Sequence, residues 1–163
     1  MRKQLILLTL IVTPMALMAQ EATSVFNFLK IPMSAHVAAL GGDNVSLKLD
    51  DPTLVFSNPA QAPAVNDNTL NLDYQTYVAD TKILGAAFVK VFSVRHTVAL
   101  TGQLFDYGKM DETDEDGNVL GEFSAKDMAF SALYSYTMGS HWVGGATGRF
   151  ITSKYADYSS TAV

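Results

Sequence analysis

Residues 123–137 read Phe123-Ser124-Ala125-Lys126-Asp127-Met128-Ala129-Phe130-Ser131-Ala132-Leu133-Tyr134-Ser135-Tyr136-Thr137. In an extended chain successive side chains point to opposite faces. One face of this stretch then carries large apolar and aromatic side chains, at Met128, Phe130, Tyr134 and Tyr136. The other face carries polar side chains, at Asp127, Ser131 and Ser135. This period-two alternation predicts a β-strand with one apolar and one polar face.

The same texture recurs along the chain after Asn68, which predicts an all-β protein of five strands with a sixth beginning near Tyr155. The other predicted strands are Thr69–Val78, Ile83–Phe92, Thr97–Tyr107 and Trp142–Thr152. In the second of these the pattern is mixed, and we expect its Leu84, Ala86 and Phe88 to face the interior. The connections Ser93–His96 and Gly139–His141 are tight, whereas Gly108–Gly121 is predicted to be a long acidic loop.

The N-terminus has the form of a secretory signal peptide. A basic start precedes an apolar run from Leu5 to Met18, and the small residue Ala19 suits cleavage. A transmembrane helix is the alternative, but Pro14 interrupts the run, which is shorter than the roughly 18 apolar residues that a spanning helix needs. We therefore predict a signal peptide over residues 1–19 and an exported protein.

Between the signal and the strands, residues 20–68 are irregular because prolines and glycines divide them into short pieces. Residues 33–40 predict two helical turns that begin at Ser34 and end at the Gly41-Gly42 pair. We interpret this segment, called the hatch below, as a plug inside a barrel formed by residues 69–163, and an arm outside the barrel is the alternative. Its large apolar side chains are expected to bury against the barrel wall, at Val25, Phe26, Phe28, Leu29, Ile31 and Leu40.

The strands of a soluble β-sandwich also alternate between apolar and polar residues, so this periodicity alone does not indicate a membrane barrel. Two features favour the membrane. The polar faces are small and carry few charges, and aromatic residues gather near the strand ends, where they suit the two headgroup levels. These are Tyr74, Tyr77, Phe92, Tyr107, Tyr134, Tyr136 and Trp142.

Strands cross hydrocarbon only as a closed sheet, because lipid offers no partners to a free edge. Single-chain bacterial barrels begin at about eight strands. Five or six strands therefore predict that the chain is the N-terminal part of a longer protein. A barrel assembled from several copies is the alternative.

Composition narrows the function classes. The 11 basic and 16 acidic residues, without a basic cluster beyond the start, argue against nucleic acid. The chain has no cysteine, and no serine lies in a Gly-x-Ser-x-Gly elbow. None of its three histidines has a second ligand at metal-binding spacing. We predict no enzymatic activity, no cofactor and no resident metal.

The acidic run in the predicted long loop is the first candidate site, as a contact for a partner. It comprises Asp111, Glu112, Asp114, Glu115 and Asp116. The run imitates the start of an EF-hand, but Phe123 stands where the closing glutamate belongs, so a solvated loop is favoured over a calcium site. The second candidate is the hatch motif, with Gly41 and Gly42 at a tight turn where the backbone passes close to a wall, and a corner at Asn58, Pro59 and Ala60.

These segments together resemble a known family. Residues 25–35, the Ala38-Ala39-Leu40-Gly41-Gly42 run, the Asn58-Pro59-Ala60 corner and the acidic stretch up to Ala125 look like the PorQ proteins of type IX secretion, more than the related PorV proteins. The Asn-Pro-Ala corner also occurs in FadL-like transporters of the same barrel superfamily. The resemblance runs from about Val25 to the end of the chain.

The resemblance implies an outer-membrane, FadL-like up-and-down β-barrel that supports export or surface attachment of cargo proteins. It implies outer-membrane lipid around the barrel and other secretion components as partners, such as a PorV-like shuttle and the surface sortase complex. A FadL-like transporter that binds a hydrophobic ligand beside the hatch is the alternative. A soluble extracellular binding module is a third.

Overall fold

The fold is described from a computed structural model, which describes residues 26–42, 44–114, 116, 118–156 and 158–163. The predicted signal peptide and Val25 of the hatch lie outside these residues.

One antiparallel sheet contains all six strands. They are β1 Thr69–Thr76, β2 Lys82–Ser93, β3 His96–Thr113, β4 Val119–Met138, β5 Trp142–Tyr155 and β6 Tyr158–Ala162. Each strand pairs with the next along the chain, so the sheet is a meander with β1 at one edge and β6 at the other. The all-β prediction is confirmed, and among the described residues the sheet is open, because β1 and β6 do not pair.

Short helices occupy the hatch. The α-helix α1 is Ala35–Ala39, and 3₁₀ helices cover Asn27–Lys30, Pro52–Phe56 and Pro59–Ala64, with a further one at Val78–Asp80 between β1 and β2. The predicted cap is confirmed, because the Ser34 hydroxyl accepts a hydrogen bond from the amide of Val37 at 3.1 Å. No helix in the described part of the chain is long and apolar enough to cross a membrane.

The two faces of the sheet differ in what covers them. The hatch lies on one, here called the inner face, and the opposite outer face is bare in the described structure. On β1 the apolar residues are outside, with Leu70 62% and Leu72 73% exposed, while the polar residues between them are partly covered. On β4, Ser131 and Ser135 are likewise buried and Phe130 is 59% exposed, while Ala129 and Leu133 share the buried face with the serines. The predicted sharing of faces on β4 is confirmed.

The prediction for β2 was wrong. Leu84, Ala86 and Phe88 lie on the outer face, and the inner face carries Ile83, Gly85, Ala87 and Val89. The register explains the difference, because Leu84 pairs with Tyr74 of β1 and Leu104 of β3, both of which point outward. Both faces of β2 are apolar, so the strand's own pattern did not distinguish them.

Two clusters hold the hatch to the inner face. The first joins Val55, Ala62 and Val65 of the hatch to strand residues Ala87, Val89, Ala99 and Leu133. The second joins Phe28 and Met33 to strand residues Ile83, Phe105, Ala129 and Ile151, with Phe26, Leu29 and Ile31 packed around it. Leu40, predicted to be buried, is 46% exposed. Burial of a large apolar side chain contributes about 1.5–3 kcal/mol, so these clusters account for much of the attachment.

Candidate functional site

The Asn58-Pro59-Ala60 corner rests directly on β4 and β5. Asn58 Oδ1 accepts a hydrogen bond from the amide of Ala60 at 3.0 Å, and Asn58 Nδ2 donates to the carbonyl of Val45 at 3.2 Å. The Asn58 side chain thus closes the turn that the fixed φ of Pro59 begins. The Ser135 hydroxyl of β4 donates to the carbonyl of Pro59.

Gly145 of β5 makes this close approach possible. A Cβ added there would lie 2.8 Å from Pro59 Cβ and 3.1 Å from the amide nitrogen of Ala60. Both distances are shorter than normal van der Waals contact, and the second involves backbone that cannot rotate away. Gly85 of β2 has a similar relation to Met33, whose Cε would lie 2.8 Å from an added Cβ. These two glycines mark where the hatch touches the sheet.

Of the two roles predicted for Gly41 and Gly42, the end of the helix is confirmed and the close approach to a wall is wrong. An added Cβ at Gly41 would meet nothing within 4 Å, and one at Gly42 would only touch Pro32 at 3.7 Å, so neither passes close to a wall. Their φ angles are +93° and +98°, which side chains with a Cβ rarely adopt. The amide of Gly42 donates to the carbonyl of Val37 at 2.9 Å. The pair therefore terminates α1, and it does not contact the sheet.

Polar side chains of the sheet bind main-chain carbonyls of the hatch. Gln75 Nε2 of β1 donates to the carbonyl of Pro32 at 2.9 Å. Arg149 of β5 donates through Nη2 to the carbonyl of Phe56 at 3.3 Å and through Nε to the Ser131 hydroxyl at 3.0 Å. With the bond from Ser135, sheet donors thus reach three points spread along the hatch.

An internal polar network ties the start of the hatch to its middle. Ser34 Oγ and Thr53 Oγ1 are 3.0 Å apart, and Asp51 accepts from the amide of Thr53 at 2.8 Å. The Nδ1 atom of His36 lies 2.5 Å from Asp51. Partial burial raises the pKa of Asp51, but the hydrogen bonds from Thr53 and His36 outweigh it and hold the pKa below its ordinary value of 3.8.

Asp67 fixes the junction between the hatch and the sheet. Its carboxylate accepts from the amide of Val91 at 2.8 Å and from Lys90 Nζ at 3.1 Å. Asn68 next to it has a φ of +56°, so the chain turns sharply before β1 begins. The hydrogen bond from Val91 and the one from Lys90 lower the pKa of Asp67.

A cavity of about 210 Å³ remains between the hatch and the inner face. Apolar side chains including Leu29, Ile31 and Phe56 line it, together with Gln103 and Arg149 from the sheet. Gln103 is 6% exposed, and its Oε1 atom has no hydrogen-bond partner among the described residues. The exposed surface of the cavity is thus mostly polar, with apolar side chains forming part of its wall.

The acidic run lies far from the hatch motif, at the opposite end of the chain's longest hairpin. The predicted long loop was wrong in extent, because β3 continues to Thr113 and β4 starts at Val119. Asp111 pairs with Glu122 across the hairpin, and Asp114 accepts from the amides of Asp116 and Asn118 at 3.0 and 2.7 Å. Glu112 is exposed beside them, and Glu115 lies outside the described residues. Within the described residues no three potential metal ligands cluster.

Sequence reasoning missed Gly145, Arg149 and Asp127 as parts of the inner site. Asp127 is 2% exposed and accepts hydrogen bonds from the hydroxyls of Tyr107 at 2.7 Å and Tyr155 at 2.8 Å. Tyr107 therefore faces inward, although it had been assigned to an outward aromatic belt. A glycine within a strand pattern signals a bulge or a close backbone approach, so the Gly144-Gly145 pair carried a usable signal that did not say which glycine meets the hatch.

Comparison with known proteins identifies no relative, since no protein-family model, no curated protein and no solved structure matches this chain.

Proposed function

We propose that the chain forms part of an outer-membrane β-barrel, closed inside by the hatch, that serves type IX secretion by supporting export or surface attachment of cargo proteins. One observation carries the barrel proposal: the face of the sheet that the hatch leaves bare carries large apolar and aromatic side chains, whereas the covered face mixes apolar residues with polar ones such as Gln103, Asp127 and Ser135. In a soluble antiparallel sheet with one face covered by the rest of the protein, the covered face is the apolar one. Lipid as the outer solvent reverses this arrangement.

The outer face has the dimensions of a membrane band. Two rows of paired residues cross all or most of the sheet without a charge, namely Leu72, Ala86, Gly102, Phe130 and Phe150, and Leu70, Phe88, Leu100, Ala132 and Gly148. On β2, Lys82 and Lys90 bound this zone, eight residues apart. At about 3.3 Å per residue and a tilt of about 40°, the zone spans roughly 20 Å, near the roughly 25 Å apolar band of known barrels.

The sheet has open edges at β1 and β6, which a membrane barrel cannot leave unpaired. Unpaired backbone groups at β1 and β6 would each cost several kcal/mol in hydrocarbon. A membrane barrel therefore needs further strands between these two edges, from the same polypeptide or from other copies.

The secretion role depends on the family resemblance, which combines the α1 glycine pair, the Asn58-Pro59-Ala60 corner and the acidic hairpin in one order. On this proposal, partner proteins such as a PorV-like shuttle or the sortase complex contact the exposed hairpin, where Asp111, Glu112 and Asp116 are solvated. Deletion of the gene should block surface display of cargo while leaving cargo synthesis intact.

A FadL-like transporter is the second candidate, and the cavity beside the hatch favours it. Arg149 and the unpartnered Gln103 side chain suit the polar head of a small amphiphilic ligand, and Leu29, Ile31 and Phe56 would contact its apolar part. On this alternative, deletion impairs uptake of hydrophobic compounds and leaves surface display unchanged. The two deletion phenotypes separate the candidates. A mature full-length protein that remains soluble and monomeric without detergent, with no heat-dependent shift in gel mobility, would contradict both.

A further inference from the structure

A row of cations lies at one border of the apolar outer face. Lys82 of β2, Lys126 of β4 and Lys154 of β5 stand on the same transverse row, with Asp106 of β3 between the first two. All three lysines are exposed. We call Lys82, Lys126 and Lys154 the lysine row.

The lysine row has a net positive charge. Asp106 pairs with Lys126 at 2.9 Å, and no described carboxylate lies within 4 Å of the ammonium groups of Lys82 or Lys154. One acid among three bases leaves a net charge of about +2 next to an apolar surface. An ammonium with its stem along an apolar surface is the arrangement that lysines adopt at a membrane interface.

An apolar groove begins directly beside the lysine row. Its volume is about 440 Å³, and Leu72, Leu84, Leu104 and Phe130 form its walls. Its floor is Ala86 and Gly102, which face each other across β2 and β3. A second groove of about 300 Å³ shares this floor and continues past Phe88 and Leu100, deeper into the apolar band.

We propose that the lysine row and the groove together bind one membrane lipid that has an anionic phosphate headgroup. The phosphate lies at Lys82, whose ammonium has no described carboxylate within 4 Å, while Lys126 offsets the charge of the neighbouring Asp106. An acyl chain lies along Ala86 and Gly102 toward Phe88. The register supports this geometry, because Lys82 is two residues from Leu84 and four from Ala86, about 7 and 13 Å along the strand. The inference rests on the proposed barrel, since only a lipid-facing sheet offers this groove to an acyl chain.

Native mass spectrometry of the natural full-length protein tests the proposal. The protein is released from mixed micelles that contain equal amounts of phosphatidylglycerol and phosphatidylcholine, and retained lipids are counted. We expect preferential retention of phosphatidylglycerol. The variant Lys82→Gln/Lys126→Gln/Lys154→Gln should lose this preference by roughly five-fold per lysine, the effect of one cation near an anionic lipid surface. The preference should also decline as salt is added.

A matched control removes the same charge elsewhere, in Lys30→Gln/Lys48→Gln/Lys109→Gln, and should keep the preference. Gly102→Val tests the groove: its Cβ would sit 3.6 Å from Phe130 in ordinary contact, so the variant should fold but retain less of both lipids. Gly148→Val, on the same face with nothing within 4 Å of its Cβ, should retain both normally.

Heat-dependent gel mobility of every variant separates this inference from the proposed function. A heat-modifiable wild type that retains the two lipids equally would overturn the lipid site and leave the barrel standing. If the protein forms a dimer in the absence of lipid, the groove would be an interface with a second copy, and the lipid site would be overturned. If millimolar inorganic phosphate abolishes the preference for phosphatidylglycerol, the lysines form a phosphate site in which the acyl chain has no role, and the lipid site would be overturned. A wild type without heat modifiability would overturn the barrel, and the lipid site with it.

Discussion

The contact between Gly145 and the Asn58-Pro59-Ala60 corner gives the sharpest prediction. In Gly145→Val, the new Cβ would begin 2.8 Å from Pro59 Cβ and 3.1 Å from the Ala60 nitrogen, before its two methyl groups are counted. At this point β5 is held by its pairing with β4, where Ser135 lies opposite Gly145, so we expect the corner to move. Overpacking of this kind costs about 1–3 kcal/mol. The population with a displaced hatch should then rise by about 5- to 150-fold, since roughly 1.4 kcal/mol is a factor of ten.

Cysteine labelling measures this displacement, because the natural sequence contains no cysteine. Val65→Cys places a thiol in the first cluster, where the residue is buried and the change removes volume. A maleimide reagent should modify this thiol slowly in the wild-type background and faster by the factor above with Gly145→Val. Gly148→Val is the matched control on the same strand, since its Cβ meets nothing within 4 Å. Equal labelling rates in the two glycine variants would refute the seating of the hatch on β5.

Ser135→Ala leaves the Pro59 carbonyl without its donor and should lower the free energy of unfolding by about 0.5–1.5 kcal/mol, measured by urea titration. Leu72→Arg should destabilise the protein in lipid vesicles by about 2–4 kcal/mol if it lies near the middle of the membrane, while Val119→Arg, in the hairpin, should change stability little. Asp51 has a folded pKa below its unfolded value near 3.8, so it stabilises the hatch above that pH and ceases to do so as pH falls through the folded pKa. Asp51→Asn should therefore be less stable at neutral pH and lose less stability on acidification; equal acid sensitivity in the two proteins would contradict this assignment.

Strand alternation predicted the sheet and most of its faces because the period of two is a property of the extended backbone. It could not assign β2, whose two faces are both apolar, since the inward side depends on neighbouring strands. Leu84 points outward because its partners Tyr74 and Leu104 do. The acidic hairpin was read as a loop because its charged residues and Gly108 resemble turn signals. Cross-strand pairs such as Asp111 with Glu122 continue the ladder through it.

The hatch motif was also predictable only in part. The Asn58 side chain and Pro59 specify a turn through local chemistry, so that corner was predictable from sequence. The identity of the surface it meets was not, because contact with Gly145 joins segments 85 residues or more apart. Gly41 and Gly42 were predicted correctly to end the helix and wrongly to pass close to a wall. A glycine pair is compatible with a close approach and with a positive φ, and only the structure distinguishes the two.

The hydrogen bonds between hatch and sheet suggest why an irregular segment keeps one path. The hatch has little regular structure, so its carbonyls lack the ladder partners that strands provide. Gln75, Arg149 and Ser135 supply those partners from the inner face, at Pro32, Phe56 and Pro59. These bonds recognise the main chain, so they fix the course of the hatch whatever side chains its exposed positions carry. The inner face is therefore mixed: its polar donors set the path of the hatch, and its apolar residues hold the hatch in place. Removal of the hatch would expose those apolar residues at a cost of about 25 cal/mol per Å².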